Sequence, residues 1–168
     1  MEITFFKAIR STTPEKTEQL SSILEKIKNG EWKNRVIRCQ TDIKYKNYLP
    51  VFTPTGIFSH RSIKGLQEYN GIICLDIDGV QEPDALKEIC KSIPWVMAAF
   101  ITPSGQGLKV IVKTQATVET YKETELEVAE AFLTATGVAR DNHCKDIARI
   151  QFVSYDPDLY YNPESLLF

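Results

Sequence analysis

Gly71-Ile72-Ile73-Cys74-Leu75-Asp76-Ile77-Asp78-Gly79 reads as an apolar strand that ends in two carboxylates one residue apart. Residues i and i+2 of a strand share a face, so Asp76 and Asp78 point to one side while Leu75 and Ile77 point to a core on the other. Two carboxylates held side by side repel each other, and a cation relieves that cost. Hard divalent ions, Mg²⁺ or Mn²⁺, meet the demand, with phosphate oxygens completing the shell. The plainer reading is a strand end whose acids face water, with Gly79 an ordinary turn residue.

Downstream of the acids, Glu82-Pro83-Asp84 opens a helix running to about Ser92, and Trp95 to Ile101 is a second strand. Pro103-Ser104-Gly105-Gln106-Gly107 is a tight loop before a third strand, Leu108 to Lys113. Thr117 to about Thr136 is a long helix closed by Gly137, and Arg149 to Val153 is a fourth strand. The order β-α-β-β-α-β is that of an RNA-recognition-like unit. In such a sheet the first and third strands are central, adjacent and antiparallel, so Asp76 and Asp78 are expected beside Lys109. Ile73, Leu75, Val110 and Val112 then face the helices, while Asp76, Asp78, Lys109 and Lys113 share the open face.

Upstream, Ile3 to Ile9 is expected as a strand, and Ser11-Thr12-Thr13-Pro14-Glu15 as the start of a helix carrying Leu20, Ile23, Leu24 and Ile27. Asn29-Gly30 ends that helix. A less regular stretch with Trp32, Ile37 and Tyr45 follows, then short strands or a loop from Leu49 to Phe58. The expectation is one α+β domain. Residues 1–69 form an N-terminal α/β unit that caps the open face of the unit at 70–168 and so makes a cleft.

A chain of 168 residues with 43% hydrophobic content suits one domain with a real core. No apolar run approaches a membrane span and Met1 to Arg10 lacks a signal-peptide profile, so a soluble, cytoplasmic protein without membrane contact is expected. Cys39, Cys74, Cys90 and Cys144 are widely spaced, which argues against a disulfide framework or structural zinc and for ordinary reduced thiols. Net charge is −2, yet Lys26, Lys28, Lys33, Arg35, Arg38, Lys44 and Lys46 cluster. They read either as a basic patch or as a solvated helical face.

Two more segments carry chemistry. In Thr102-Pro103-Ser104-Gly105-Gln106-Gly107-Leu108-Lys109, two glycines allow close backbone approach. Their N–H groups with the Ser104 hydroxyl can hold phosphate oxygens, and Lys109 adds a point charge. The same letters also describe a common hairpin turn. Arg140-Asp141-Asn142-His143-Cys144-Lys145-Asp146-Ile147-Ala148-Arg149 can supply the third carboxylate that two-metal chemistry needs, from Asp141 or Asp146. Arg149 can neutralise a phosphate or pair with an acid. His143 reads as a loop residue, Asp156-Pro157 as a turn, and Tyr160-Tyr161 as packing.

Together these blocks resemble the archaeo-eukaryotic primase and primase-polymerase superfamily. That superfamily carries a strand-borne Asp-x-Asp, a Ser-Gly-x-Gly-x-His-like motif and a late acid before a strand. The likeness is closest to the VirE N-terminal family, a primase-polymerase-like domain of bacterial mobile-element proteins. It rests on Leu49-Pro50, Thr53-Pro54-Thr55-Gly56-Ile57-Phe58, Asp76-Ile77-Asp78, Pro103 to Lys109, and Arg149 through Asp156-Pro157.

The resemblance implies a replication protein of a phage or mobile element that takes a nucleoside triphosphate with Mg²⁺ or Mn²⁺ and acts on DNA, or on RNA, with a helicase module or partner. It implies Asp76, Asp78 and Asp141 as catalytic metal ligands. Ser104, Gly105, Gly107 and Lys109 would sit at the nucleotide phosphates, with Arg149 in support. Lys109 stands where many members of the superfamily place histidine.

Two rival functions share these residues. An inert nucleotide- or DNA-binding module keeps the site without turnover. A haloacid-dehalogenase-type phosphatase would use Asp76 as nucleophile and Asp78 as acid and base. For the phosphatase, the motif comes late and leaves too short a remainder for a doubly wound core.

Overall fold

The computed structural model describes residues 1–142 and 146–168. His143, expected as a loop residue, and Cys144, expected as a reduced thiol, lie outside the described residues. In chain order the first half contains β1 (Glu2–Phe6), β2 (Lys16–Gln19), α1 (Leu20–Asn29), α2 (Lys33–Thr41) and a 3₁₀ turn at Ile43–Tyr48. It continues with β3 (Val51–Thr53), β4 (Gly56–Phe58) and β5 (Leu66–Tyr69). The second half contains β6 (Ile72–Asp78), α3 (Pro83–Lys91), β7 (Val96–Ile101), β8 (Gly107–Lys113), α4 (Tyr121–Thr136), β9 (Gln151–Phe152) and β10 (Tyr160–Tyr161).

The strands form two four-stranded sheets, ordered β2-β1-β3-β9 and β10-β7-β8-β6, with β4 and β5 as a separate hairpin. Every strand pairing among the described residues is antiparallel.

The second sheet is dry on both faces. Period-two alternation sends Ile73, Leu75, Ile77, Leu108, Val110 and Val112 to one side, where they pack on Leu86 and Cys90 of α3 and on Val128 and Phe132 of α4. The other side presents Ile72, Cys74, Met97, Phe100 and Ile111 to Ile3, Phe5 and Phe52 and to the apolar stripe Leu20, Ile23, Leu24, Ile27 of α1. Elements from the first half of the chain thus cover that face of the sheet. Burial pushes the Cys90 thiol up to about 12 and raises that of Cys39, so these are unreactive core thiols.

Four expectations are corrected. The helix does not begin near Ser11. Lys16–Gln19 pairs with β1 instead, Phe5 opposite Lys16 and Glu2 opposite Gln19, and the helix starts at Leu20. A helix from Ser11 would leave that edge of β1 with bare amides and carbonyls.

The irregular stretch after Trp32 holds a real helix, α2, anchored only by Val36 and Cys39. The segment Arg149 to Val153 does not join β6. Its Gln151 and Phe152 pair with Phe52 and Val51, so β6 is an edge strand and not a central one. Beside β7 the sheet is instead extended by Tyr160–Tyr161, which sequence reading had assigned to packing.

Candidate functional site

β6 and β8 lie in a register that sets Asp76 opposite Lys109 and Asp78 opposite Gly107. Asp76 and Asp78 share the face turned to the N-terminal unit, at the point where apolar packing stops. There a cavity of 220 Å³ opens between the two sheets, lined by Asp76, Asp78, Thr102, Pro103 and Lys109 from one side. Ile9, Lys46, Arg149, Ile150 and Phe152 line it from the other. Three cationic and two anionic side chains face this space, an excess of positive charge that suits an anion arriving with a cation of its own.

Lys109 is buried and ion-paired to Asp76 Oδ2. Its four methylenes cross the sheet face beside Phe100, so the ammonium reaches the cavity from a dry strand. Lys113, expected to converge on the same spot, sits opposite Ile72 at the far end of the strand and donates to the Pro163 carbonyl at 2.9 Å. Lys46 extends over the Phe152 ring, 5.0 Å from its centroid, and supplies the cation that sequence reading did not place here.

Of the glycine loop, only Thr102 and Pro103 line the cavity. The Thr102 amide donates to the Gly107 carbonyl and the Gly105 amide to the Thr102 carbonyl, each at 2.9 Å. Ser104 Oγ lies 3.1 Å from Thr102 Oγ1. The Gly105 N–H is therefore spent inside the turn and does not offer the phosphate cradle expected of it.

Gly107 has a different necessity. A Cβ there would lie 2.5 Å from the Ile77 carbonyl and 3.3 Å from Asp78 Oδ1, so any side chain would wedge β8 away from the acids. Gly105, at φ +76°, forms the tip of the turn and leans toward Gln40 of α2.

The expected third acid divides. The Asp141 amide donates to the Asp76 carbonyl at 2.7 Å, which seats residue 141 on the open edge of β6. Asp146 is exposed and, with Arg61, lines an adjoining shallow cavity that shares Ile9, Arg149 and Ile150 with the first.

What holds Asp141 there escaped sequence reading. Glu125 on α4 grips Arg140 through Nε–Oε1 at 2.6 Å and Nη2–Oε2 at 3.0 Å, both side chains being buried. Arg140 Nη1 in turn donates to the Asp141 carbonyl at 3.2 Å. The available signal was Glu125 itself, an acid inside the stripe Tyr121, Glu125, Val128, Phe132.

Asp156 was likewise more than a turn. It takes both carboxylate oxygens to Lys87 Nζ at 2.8 Å and accepts the Ile101 amide at 2.9 Å, fixing the base of the Thr102 loop. Burial pushes the Lys87 ammonium down, and the bonds to Asp156 and Asp84 more than restore it, leaving it above the usual lysine value.

The donor set fits a divalent ion of the kind that phosphate completes. Two carboxylates stand on one strand face, and a lysine ammonium already sits where positive charge is wanted. It does not fit an ion caged by protein alone, since no group of three potential ligands occurs among the described residues.

The profile of the BT4734-like N-terminal domain family matches residues 44–161, well over half of the chain. The chain belongs to that family. No curated protein matches it. Among solved structures, the AEP domain of the Cyanophage S-2L primase-polymerase is similar, with a TM-score of 0.50 and 10% identity over 99% of this chain and 83% of that one. At that identity the likeness is one of fold. This member of the BT4734-like family has the mixed α+β, antiparallel fold of a primase-polymerase AEP domain. No helix among the described residues is long and apolar enough to cross a membrane.

Proposed function

We propose that this domain binds a nucleoside triphosphate with Mg²⁺ or Mn²⁺ between its two sheets and transfers the nucleotidyl group to a DNA end, as part of a phage or mobile-element replication protein. The observation that carries the reading is the shared cavity of Asp76, Asp78, Lys109 and Arg149. The fold likeness to a phage primase-polymerase domain supports it.

A 220 Å³ space falls below the roughly 300–1,000 Å³ of pockets that enclose whole ligands. It has room for the phosphates, with base and sugar toward the mouth. Asp76 and Asp78 would hold the ion together with phosphate oxygens, while Asp141, the third acid expected, stands at the β6 edge and is not among the residues lining the cavity. When bound, that ion supplies a lowered hydroxyl pKa and charge stabilisation at the phosphorus.

Lys109 would exchange the Asp76 carboxylate for a phosphate oxygen, which keeps its ammonium paired throughout. Arg149 and Lys46 face the cavity from the opposite wall and would neutralise the remaining phosphate charge. Thr102 and Pro103 wall off water on the hairpin side.

The Lys109–Asp76 pair also favours a second reading, binding without turnover, because the carboxylate is already neutralised. The phosphatase reading needs a parallel doubly wound sheet, and the strand pairings here are antiparallel.

The test is calorimetric titration of dGTP or ATP with Mn²⁺ into the protein and into the Asp76→Asn/Asp78→Asn variant. Metal-dependent binding confined to the wild type is expected. Absence of binding in both would remove the cavity from nucleotide chemistry. A primer-extension assay then separates transfer from binding alone.

A further inference from the structure

Residues 33–48, α2 and the 3₁₀ turn, carry five basic side chains and one acidic one in a chain whose net charge is −2. Among the described residues none of those five, Lys33, Arg35, Arg38, Lys44 and Lys46, is held in an ion pair, whereas Lys16, Lys26, Lys87, Lys91, Lys109 and Arg140 all are. The single acid, Asp42, caps the Lys44 amide.

Aromatic rings are interleaved with the charges. Arg38 stacks 4.4 Å from the Tyr45 centroid, Tyr45 and Tyr48 lie 6.2 Å apart, and Tyr48 is 71% exposed. Arg35, Arg38, Tyr45 and Tyr48 line one shallow groove.

Tyr48 leaves its ring in water beside cations that no ion pair holds, while α2 docks on the core through Val36 and Cys39. Cations that follow a backbone, with rings on which bases stack, are the chemistry of single-stranded nucleic acid binding. We propose that α2 and the 3₁₀ turn form the track on which a single-stranded polynucleotide lies, its phosphates on Arg35 and Arg38 and a base on Tyr48.

The track is continuous with the cavity. Lys46, two residues before Tyr48, faces Asp76 and Asp78, and Gln40 of α2 meets the Gly105 turn. This deepens the proposed function by placing the strand, while standing on its own surface.

The experiment is fluorescence anisotropy of a labelled oligo-dT of about a dozen nucleotides with the full chain, in a salt series, alongside the Mn²⁺–dGTP titration. Tyr48→Ala and Arg38→Glu are each expected to weaken oligonucleotide binding roughly tenfold and to leave Mn²⁺–dGTP binding unchanged. Tyr48→Phe is expected to retain it, because the ring and not the hydroxyl carries the stack.

Equal affinity of wild type and both variants, or no oligonucleotide binding by the wild type, overturns the track. So does an equal affinity for blunt duplex of the same length. Oligonucleotide binding that depends on Tyr48 and Arg38 in a protein that ignores Mn²⁺–dGTP upholds the track and overturns the proposed function instead.

Discussion

Arg140–Glu125 and Lys109–Asp76 are both ion pairs drawn out of water, and they differ in what lies beside them. The first is sealed against α4, with Nη2 of the arginine donating to Glu125 and Nη1 to the main chain of Asp141. The second borders a cavity that Arg149 and Lys46 also face. A sealed pair cannot change partner without unfolding something, while a pair on a cavity wall can trade one anion for another. Position, more than the strength of either pair, separates a clamp from a site.

The sharpest way to break this comparison is at the acids. Asp76→Asn, which keeps the shape and still accepts from Lys109, is expected to abolish metal-dependent nucleotide binding in calorimetry. Its urea midpoint should stay near that of the wild type. If the variant binds nucleotide normally, Asp76–Lys109 is another clamp and the distinction fails.

The next largest effect belongs to the clamp. Glu125→Ala strands a buried guanidinium and is expected to cost about 3–5 kcal/mol in urea denaturation. Lys87→Ala, which strands Asp156, belongs in the same range. A loss below about 1 kcal/mol for both would show these pairs to be hydrated in solution.

Lys109→Met removes the mobile partner. Triphosphate affinity is expected to fall roughly tenfold, the loss of one charge-assisted hydrogen bond, while Mn²⁺ alone binds no more weakly than before. A parallel loss of both would mean that Lys109 organises the acids and does not touch phosphate.

The smallest effect is in acid. Burial raises the Glu18 carboxyl, but hydrogen bonds from Lys16, Lys26 and Ser22 outweigh it and hold the pKa at about 2, against an ordinary 4.5. A depressed carboxyl contributes stability that is whole above pH 4.5 and lost as pH falls toward 2. Thermal melts of Glu18→Gln should show a shallower acid limb than the wild type across that window.

The sequence was most informative where neighbours in the chain are neighbours in space. The turn at Ser104-Gly105-Gln106-Gly107 joins β7 to β8 and sets Phe100 opposite Lys109, since hairpin geometry leaves little choice, and the alternation of Ile72–Asp78 then assigns the faces on which Asp76 and Lys109 meet. It was least informative at Arg149–Val153, an apolar run that suits either sheet. What places it is distant: Val153 donates to the Pro50 carbonyl, and Thr55 Oγ1 to the Ile147 carbonyl at 2.6 Å.

α2 was missed because a helix with two buried residues barely perturbs the hydrophobic pattern. The seat of Asp141 on β6 was not legible because it depends on Arg140 and Glu125, fifteen residues apart.

The pairing of β9 with β3 joins residues 151–152 to 51–52 and helps bring Arg149, Ile150 and Phe152 to the cavity. During synthesis, both aspartates and Lys109 emerge from the ribosome well before that wall exists. A nascent chain stopped near residue 140 would own the acids and their lysine yet have no enclosure for a phosphate, so competence to hold a ligand arrives in a single late step. Closure of the cavity therefore waits on a two-residue strand near the end of the chain order, long after the acids and their lysine are in place.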